Sequence, residues 1–326
     1  MVRSSLARHP PLVPTALLAH SAPTHGTPKP TDPKPTAGYR DSSADIAYVL
    51  RNRCGINVLT PTASPDPHTD EGWCFADTEQ GIIDAVQKSA THLWANTILF
   101  AQHPLQTSTK LAAARDARSL RVVGQPPRFV ELFDDKNLVN TLLGRYPGLT
   151  LPKAITVTQV SGLQSKLAAA KLCPPFVGKP VRGRGSHGVK VCRTTAELES
   201  HVCGLLAESA EVLIEEYLAG QEATVTVMPP SAARPRHWAL PVVTRFNHQD
   251  GIAPYNGVVA VTTNSRVVSR AEFDSEPTYA DVARQCERVA QLLQCTAPIR
   301  VDVRRFREDE RECPFALFDV NMKPVS

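Results

Sequence analysis

Two short alternating runs late in the chain, Ile299-Arg300-Val301-Asp302-Val303 and Ala316-Leu317-Phe318-Asp319-Val320-Asn321, carry residue types and spacing that suit chemistry. They flank a charged connection from Arg307 to Glu312, and period-two alternation on both sides of a polar loop predicts an antiparallel hairpin. With the loop centred between Glu310 and Arg311, Asp302 falls opposite Asp319 and Arg300 opposite Asn321, all four on one face. Val301, Val303, Phe318 and Val320 then form a core-facing set. Opposed carboxylates repel each other unless something positive lies between them. A hard divalent cation is the simplest occupant, and Mg2+ is commonly held by one or two carboxylates together with substrate phosphates. The bland alternative is a pair of acids that both face water.

A second cluster precedes it. The strand-like run Pro175-Phe176-Val177-Gly178-Lys179-Pro180-Val181 leads into Arg182-Gly183-Arg184-Gly185-Ser186-His187-Gly188, and Val189 to Cys192 returns from it. Three glycines let a backbone approach a ligand closely, and exposed amides, Ser186 and the two arginines offer partners to phosphate oxygens. No GxxxxGK[ST] stretch leads into a helix, so this is not a Walker A loop. A flexible basic turn is the competing reading. Further on, Val212 to Leu218 forms an apolar strand containing Glu215 and Glu216, followed by a turn at Ala219-Gly220, then Gln221, Glu222 and the strand Ala223 to Val227.

The elements that must position these residues follow from composition and periodicity. At 326 residues the chain can hold two or three structural units. A net charge of +4 does not by itself argue for nucleic acid or membrane partners. No apolar run approaches the roughly 20 residues of a membrane span. The 8 cysteines show no CxxC pair and no clustering with histidine, which speaks against a zinc site and for reduced thiols. Residues 1–44 hold eight prolines and mainly basic charge, and are expected to be a disordered tail. The acid-free opening, Met1 to His20, is weakly compatible with an organelle transit peptide, although the prolines at 10, 11 and 14 interrupt any amphipathic helix.

Order is expected from Asp45, with a strand at Ile46 to Leu50. A helix capped by Asp77 and Gln80 should carry Ile82, Ile83, Val86 and Ala90, and strands are expected at His92 to Ala95 and Leu120 to Gly124. This alternation predicts a parallel α/β unit over residues 45–130. It holds no dinucleotide fingerprint, and His103 reads either as a base or as a surface residue. Asp134 should cap the next helix, which runs through Leu143. Ala154 to Val157 is a strand and Val160 to Leu172 a helix, and another helix spans Thr195 to Ser209.

The order Asp135-Lys136, Phe176-Val177-Gly178-Lys179-Pro180, the glycine loop, Glu215-Glu216-Tyr217, Gly220-Gln221-Glu222, Arg300-Val301-Asp302 and Asp319-Val320-Asn321 resembles the ATP-grasp superfamily. Within it, the D-alanine–D-alanine-ligase-like carboxylate–amine ligases, related to the glutathione-synthetase ATP-binding domain, look most similar. The likeness covers roughly residues 130–322. It implies an α/β (α+β) fold. A parallel pre-ATP-grasp domain would be followed by two α+β subdomains that sandwich ATP, a lid over residues 131–211 and a larger part over 212–326.

The resemblance also implies roles. Lys136 and Lys179 would contact nucleotide phosphates, with Lys179 also near the adenine. Glu215, Glu216, Tyr217 and Leu218 would line the adenine pocket, and Glu222 would hold the ribose hydroxyls. Gly183 to Gly188, including Arg184, Gly185, Ser186 and His187, would close over the β- and γ-phosphates. Asp302, Asp319 and Asn321 would bind Mg2+, with Mn2+ as the alternative metal. Arg300 would stabilise the acyl-phosphate step, and with Lys179 it takes a catalytic part. The implied partners are ATP and small, amino-acid-like carboxylate and amine substrates, with no nucleic acid and no membrane. A homodimer is left open. The implied setting is the cytoplasm, with the mitochondrion as the weaker alternative.

Two departures qualify the likeness. Asp319 stands where the family usually has Glu, and Lys323 replaces a small residue before a Pro-Gly turn. The family continues past that turn into a segment that completes the acceptor pocket, and the sequence stops at Ser326. The expectation is therefore ATP binding with poorly coupled ligation. Three readings compete: an ATP- and Mg2+-dependent ligase, a phosphotransferase of the same fold, and a non-catalytic or truncated nucleotide-binding protein.

Overall fold

The short apolar run Thr15–Ala19 forms β1, and it is the middle strand of a sheet. The computed structural model describes residues 15–19, 40–96, 99, 102–113, 120–183, 186–253, 264–308 and 312–323. Strand β2 (Val58–Leu59), β3 (Phe75–Ala76), β4 (His92–Asn96) and β5 (Arg121–Val123) complete the sheet. Its order is β2-β1-β4-β5, with β3 also on β1, and every pairing is parallel. Parallel strands buried on both faces read as unbroken apolar runs. Thr-Ala-Leu-Leu-Ala fits that pattern, which is why a strand stands inside the stretch expected to be disordered.

A helix spans Arg40–Asn52, so order starts before Asp45 and Ile46 to Leu50 are helical rather than extended. Ala44 and Ala47 are buried in it at a three-residue spacing, and Tyr48 packs edge-on to Trp73 at 5.7 Å between ring centroids. That spacing marks one face of a helix and outweighs the short apolar run. The next helix, Glu79–Gln87, is capped by Thr78, whose hydroxyl accepts from the Gly81 amide. Asp77 instead pairs with His103 at 2.6 Å, both side chains nearly sealed from water. The other His103 ring nitrogen accepts from the Leu105 amide. Both ring nitrogens are thus engaged, and His103 is a structural residue of the helix Pro104–Thr107.

The chain divides into two compact units at Gly124/Gln125 rather than near residue 130. Gln125 is buried, donating to Ala297 O at 2.7 Å and accepting from the Thr296 amide at 3.0 Å, so it belongs to the second unit. The helix Pro127–Phe133 also belongs there, because Phe133 packs in that unit's main core.

The second unit contains two sheets. Strands β6 (Ala154–Val157), β7 (Phe176–Pro180), β8 (Lys190–Cys192) and β9 (Val212–Glu216) form an antiparallel sheet in the order β6-β9-β7-β8. Phe176, Val212 and Ile214 pack against Leu163 and Leu167 of the helix Leu163–Ala169 and against Leu198 and Val202 of the helix Thr195–Leu206. One face of this sheet is thus covered.

The larger sheet is built from β10 (Glu222–Met228), β11 (Trp238–Ala239), β12 (Val243–Arg245), β13 (Ser265–Val267), β14 (Ile299–Arg305) and β15 (Phe315–Asn321). Its order is β13-β12-β10-β14-β15, with β11 on β10. The helix Pro277–Leu292 covers one face, placing Tyr279, Val282, Cys286 and Val289 against Val225, Val301, Val303 and Leu317. Alternation then turns Glu222, Thr224, Arg300, Asp302 and Arg304 to the opposite face.

The expected register of the terminal hairpin is present: Arg300 pairs with Asn321, Val301 with Val320 and Asp302 with Asp319. Beyond Asp302 the register shifts, and Val303 pairs with Leu317. Phe318 is the extra residue of a bulge, which re-aims a side chain and breaks the alternation. Leu317 is therefore 1% exposed in the core, and Phe318 leaves the core set predicted for it.

Candidate nucleotide and metal site

The two opposed acids are compensated by side chains of the same face. Arg300 donates to Asp302 through Nε at 2.9 Å and Nη2 at 3.0 Å, and Asn321 Nδ2 donates to the same carboxylate at 3.0 Å. The Asp302 charge raises the Arg300 pKa. Burial alone would push the Asp319 carboxyl up, but Lys136, Lys179 and Arg300 outweigh it and hold its pKa below the ordinary value. Lys136 Nζ lies 3.6 Å from Asp319.

The donor set fits Mg2+ carried in with phosphates. Two carboxylates stand opposite each other with the Asn321 amide bonded to one of them, and all three side chains carry hard oxygen donors. Among the described residues no group of three or more His, Cys, Asp or Glu could form an all-protein cage. Thr224 Oγ1, beside Asp302 in the register, is buried with no hydrogen-bond partner among the described residues, an orphan that a ligand could satisfy.

Lys179 stands on β7 and is 4% exposed. Its ammonium lies 2.6 Å from Glu215 Oε2, donates to Phe318 O at 3.1 Å and sits 5.6 Å from the Phe318 ring centroid. Asn140 Nδ2 donates to the other Glu215 oxygen at 3.0 Å. Asn140 and Lys136 share the helix Lys136–Leu143, one turn apart, and its N-cap is Asp135 rather than Asp134. Lys136 Nζ also donates to Gly183 O at 3.1 Å, tying the start of the glycine loop to Asp319 of β15. Phe133, Lys136, Asn140, Phe318 and Asp319 line one pocket.

The glycine loop is described except for Arg184 and Gly185, which lie outside the described residues. Ser186 adopts φ +60° and Gly188 φ +69°, and a Cβ on Gly188 would meet Leu205 at 2.8 Å. His187 pairs with Glu208 at 3.2 Å on the surface. Arg182 bonds to Glu131 O and Asp135, so its guanidinium serves the neighbouring helix rather than the loop's hollow.

The crossover from β9 to β10 holds the remaining expected residues. Alternation separates Glu215 from Glu216: the Glu216 carboxylate accepts from the Lys153 amide at 2.7 Å and leaves the face that Glu215 and Lys179 share. Only its backbone could meet a ligand there. Tyr217 Oη accepts from Arg304 at 3.2 Å. Leu218 is buried, and its amide has no hydrogen-bond partner among the described residues. Glu222 accepts from the His248 ring at 2.9 Å and lies 3.7 Å from Arg304 and 4.0 Å from Arg245.

Sequence reasoning missed Phe318, Asn140, His248, Arg245 and Arg304. Two had signals: Asn140 is four residues after Lys136 on a helix, and Arg304 two after Asp302 on a strand. His248 and Arg245 had none.

Residues 146–324 match the family model described as "D-ala D-ala ligase C-terminus". The D-alanine–D-alanine ligase of Bacillus anthracis is 29% identical over 171 residues, which cover 52% of this chain and 51% of the relative. That of Bacteroides fragilis is 26% identical over 168 residues, 52% and 49% respectively. The chain spans about half the length of the curated relatives it matches. The solved D-alanine–D-alanine ligase of Bacillus anthracis complexed with ATP superposes with TM-score 0.60 at 16% identity, over 96% of this chain and 87% of that one. A biotin carboxylase complex from Campylobacter jejuni superposes with TM-score 0.55 at 11% identity, over 77% and 55%. These likenesses show the fold, which is ATP-grasp.

Proposed function

Since the chain belongs to the D-ala D-ala ligase C-terminus family, we propose that it is an ATP- and Mg2+-dependent ligase that activates a small, amino-acid-like carboxylate and couples it to an amine. The observation that carries this reading is the register of Asp302 against Asp319, with Arg300, Asn321, Lys136 and Lys179 converging on it. Two acids with Arg300 on their own face and Lys136 and Lys179 reaching in from a helix and the other sheet suit a polyphosphate with its metal better than they suit a neutral ligand.

In this reading Asp302, Asp319 and Asn321 hold Mg2+, which when bound neutralises phosphate oxygens. Lys136 and Lys179 take the nucleotide phosphates, and the ring of Phe318 forms an apolar wall beside the base. The free amide of Leu218 offers the base a hydrogen bond, and Glu222 accepts from the ribose hydroxyls. In the first step a substrate carboxylate oxygen bonds to the γ-phosphorus as ADP departs. The amine then bonds to the acyl carbon, loses a proton, and phosphate leaves. Arg300 stabilises charge on the transferring group, so catalysis rests on positioning and electrostatics. The proposed setting is the cytoplasm, where all eight cysteines, free here, would stay thiols.

The test is ADP release by the purified chain with Mg·ATP and pools of amino acids and small acids, followed by mass spectrometry for an amide. Stimulated ADP release with amide formation is the expected result. Turnover on hydroxyl compounds alone, or no Mg·ATP binding, would overturn the reading.

A further inference from the structure

Arg304 is 9% exposed and spends its guanidinium on three acceptors from two separate segments. Nε donates to Gly220 O at 3.0 Å, Nη1 to Gly251 O at 2.6 Å, and Nη2 to Tyr217 Oη at 3.2 Å. Its charge also lies 5.1 Å from the Tyr217 ring centroid and 3.7 Å from Glu222 Oε2. A planar fork with five donors can serve acceptors in several directions at once, and a lysine ammonium cannot copy that geometry.

The acceptors are themselves fixed. Gln249 and Ile252 pair across a tight turn whose central residues, Asp250 and Gly251, have φ +50° and +81°. A Cβ on Gly251 would meet Tyr217 Oη at 2.8 Å, so the turn tip rests directly on the crossover. The crossover also lies along the end of β14, with the Ala219 amide bonded to Phe306 O and the Gly220 amide to Arg305 O.

We propose that Arg304 is a positioning residue for nucleotide recognition. It fixes Glu222 and the Tyr217–Gly220 backbone relative to Asp302 on its own strand, so that ribose hydroxyls and metal-bound phosphates are read in one register. This rests on the proposed binding of Mg·ATP. Arg304 touches no reacting atom and acts through Glu222 and the crossover.

The experiment measures calorimetric binding of ATP, 2′-deoxy-ATP and 3′-deoxy-ATP, each with Mg2+, to the unaltered chain, Arg304→Lys and Tyr217→Phe, with thermal melts as a check of folding. The unaltered chain is expected to prefer ATP over at least one deoxy analogue. Arg304→Lys should bind ATP about tenfold more weakly, the size of one lost charge-assisted hydrogen bond, and its preference for the hydroxyl should fall toward one. Tyr217→Phe removes a single acceptor without removing charge, so it keeps the test alive if Arg304→Lys does not fold; it should lower the same preference. Equal weakening toward all three nucleotides, an unchanged preference in either folded variant, or an unaltered chain indifferent to the hydroxyls overturns the positioning role. If the unaltered chain binds no Mg·ATP, the functional reading beneath it fails, a result distinct from the others.

Discussion

Lys179 and Glu215 face each other across β7 and β9 at 2.6 Å, with side chains 5% and 3% exposed. A buried ion pair need not add net stability, but removing one partner strands the other in a poor dielectric at about 3–5 kcal/mol. Glu215→Gln and Lys179→Met should therefore each lower the unfolding free energy by that order. The double variant should regain part of the stability and none of the ATP affinity. Urea denaturation with calorimetry checks this; a destabilised single variant that binds ATP normally would remove Lys179 from the phosphate role.

Asp302→Asn is expected to weaken Mg·ATP binding and also to cost about 1–3 kcal/mol of stability, because the half-buried Arg300 loses a charged partner. Relief of repulsion with Asp319 does not dominate, since Arg300 and Lys136 already compensate both acids. The check is a denaturant midpoint beside a binding isotherm.

The bulge predicts a split between neighbours. Leu317→Ala opens a cavity in the core and should cost about 2–5 kcal/mol. Phe318→Ala should cost less stability and more nucleotide affinity. Equal stability losses with ATP binding intact would argue that Phe318 is a core residue after all.

Glu272 supplies a pH dependence away from the site. The Arg266 guanidinium and then the Ser269 amide and hydroxyl lower its pKa from 4.5 to about 2. A depressed carboxyl stabilises the fold above its unfolded pKa, and that contribution is lost as pH falls from about 4.5 to about 2. Glu272→Gln should flatten this part of the acid limb in chemical denaturation, and parallel curves for both proteins would count against the assignment.

Much of the site was legible because a strand has a period of two. Alternation, together with a loop centred between Glu310 and Arg311, placed Asp302 opposite Asp319 and Arg300 opposite Asn321. The same rule, applied to Glu215 and Glu216, separates the faces of two acids that the resemblance assigned to one pocket. What the period could not reveal was its own interruption: nothing in Leu317-Phe318-Asp319 announces an inserted residue. Strand β1 was hidden for another reason. Five residues among prolines, four of them apolar, bury too little by themselves, and only parallel neighbours such as β2 and β4 make them a strand.

The extra residue at Phe318 makes the last strand behave like a text with one shifted reading frame. Upstream of it the in-phase letters, Phe315 and Leu317, are spelled for oil; downstream, Asp319 and Asn321 are spelled for ions. A strand has only two phases, so flattening the bulge at the present length would put Asp319 in the phase of Leu317 and aim a carboxylate at the valines of β14. The inserted residue, and not the order of residue types alone, therefore decides which side chains of this strand meet the core and which meet the charged face.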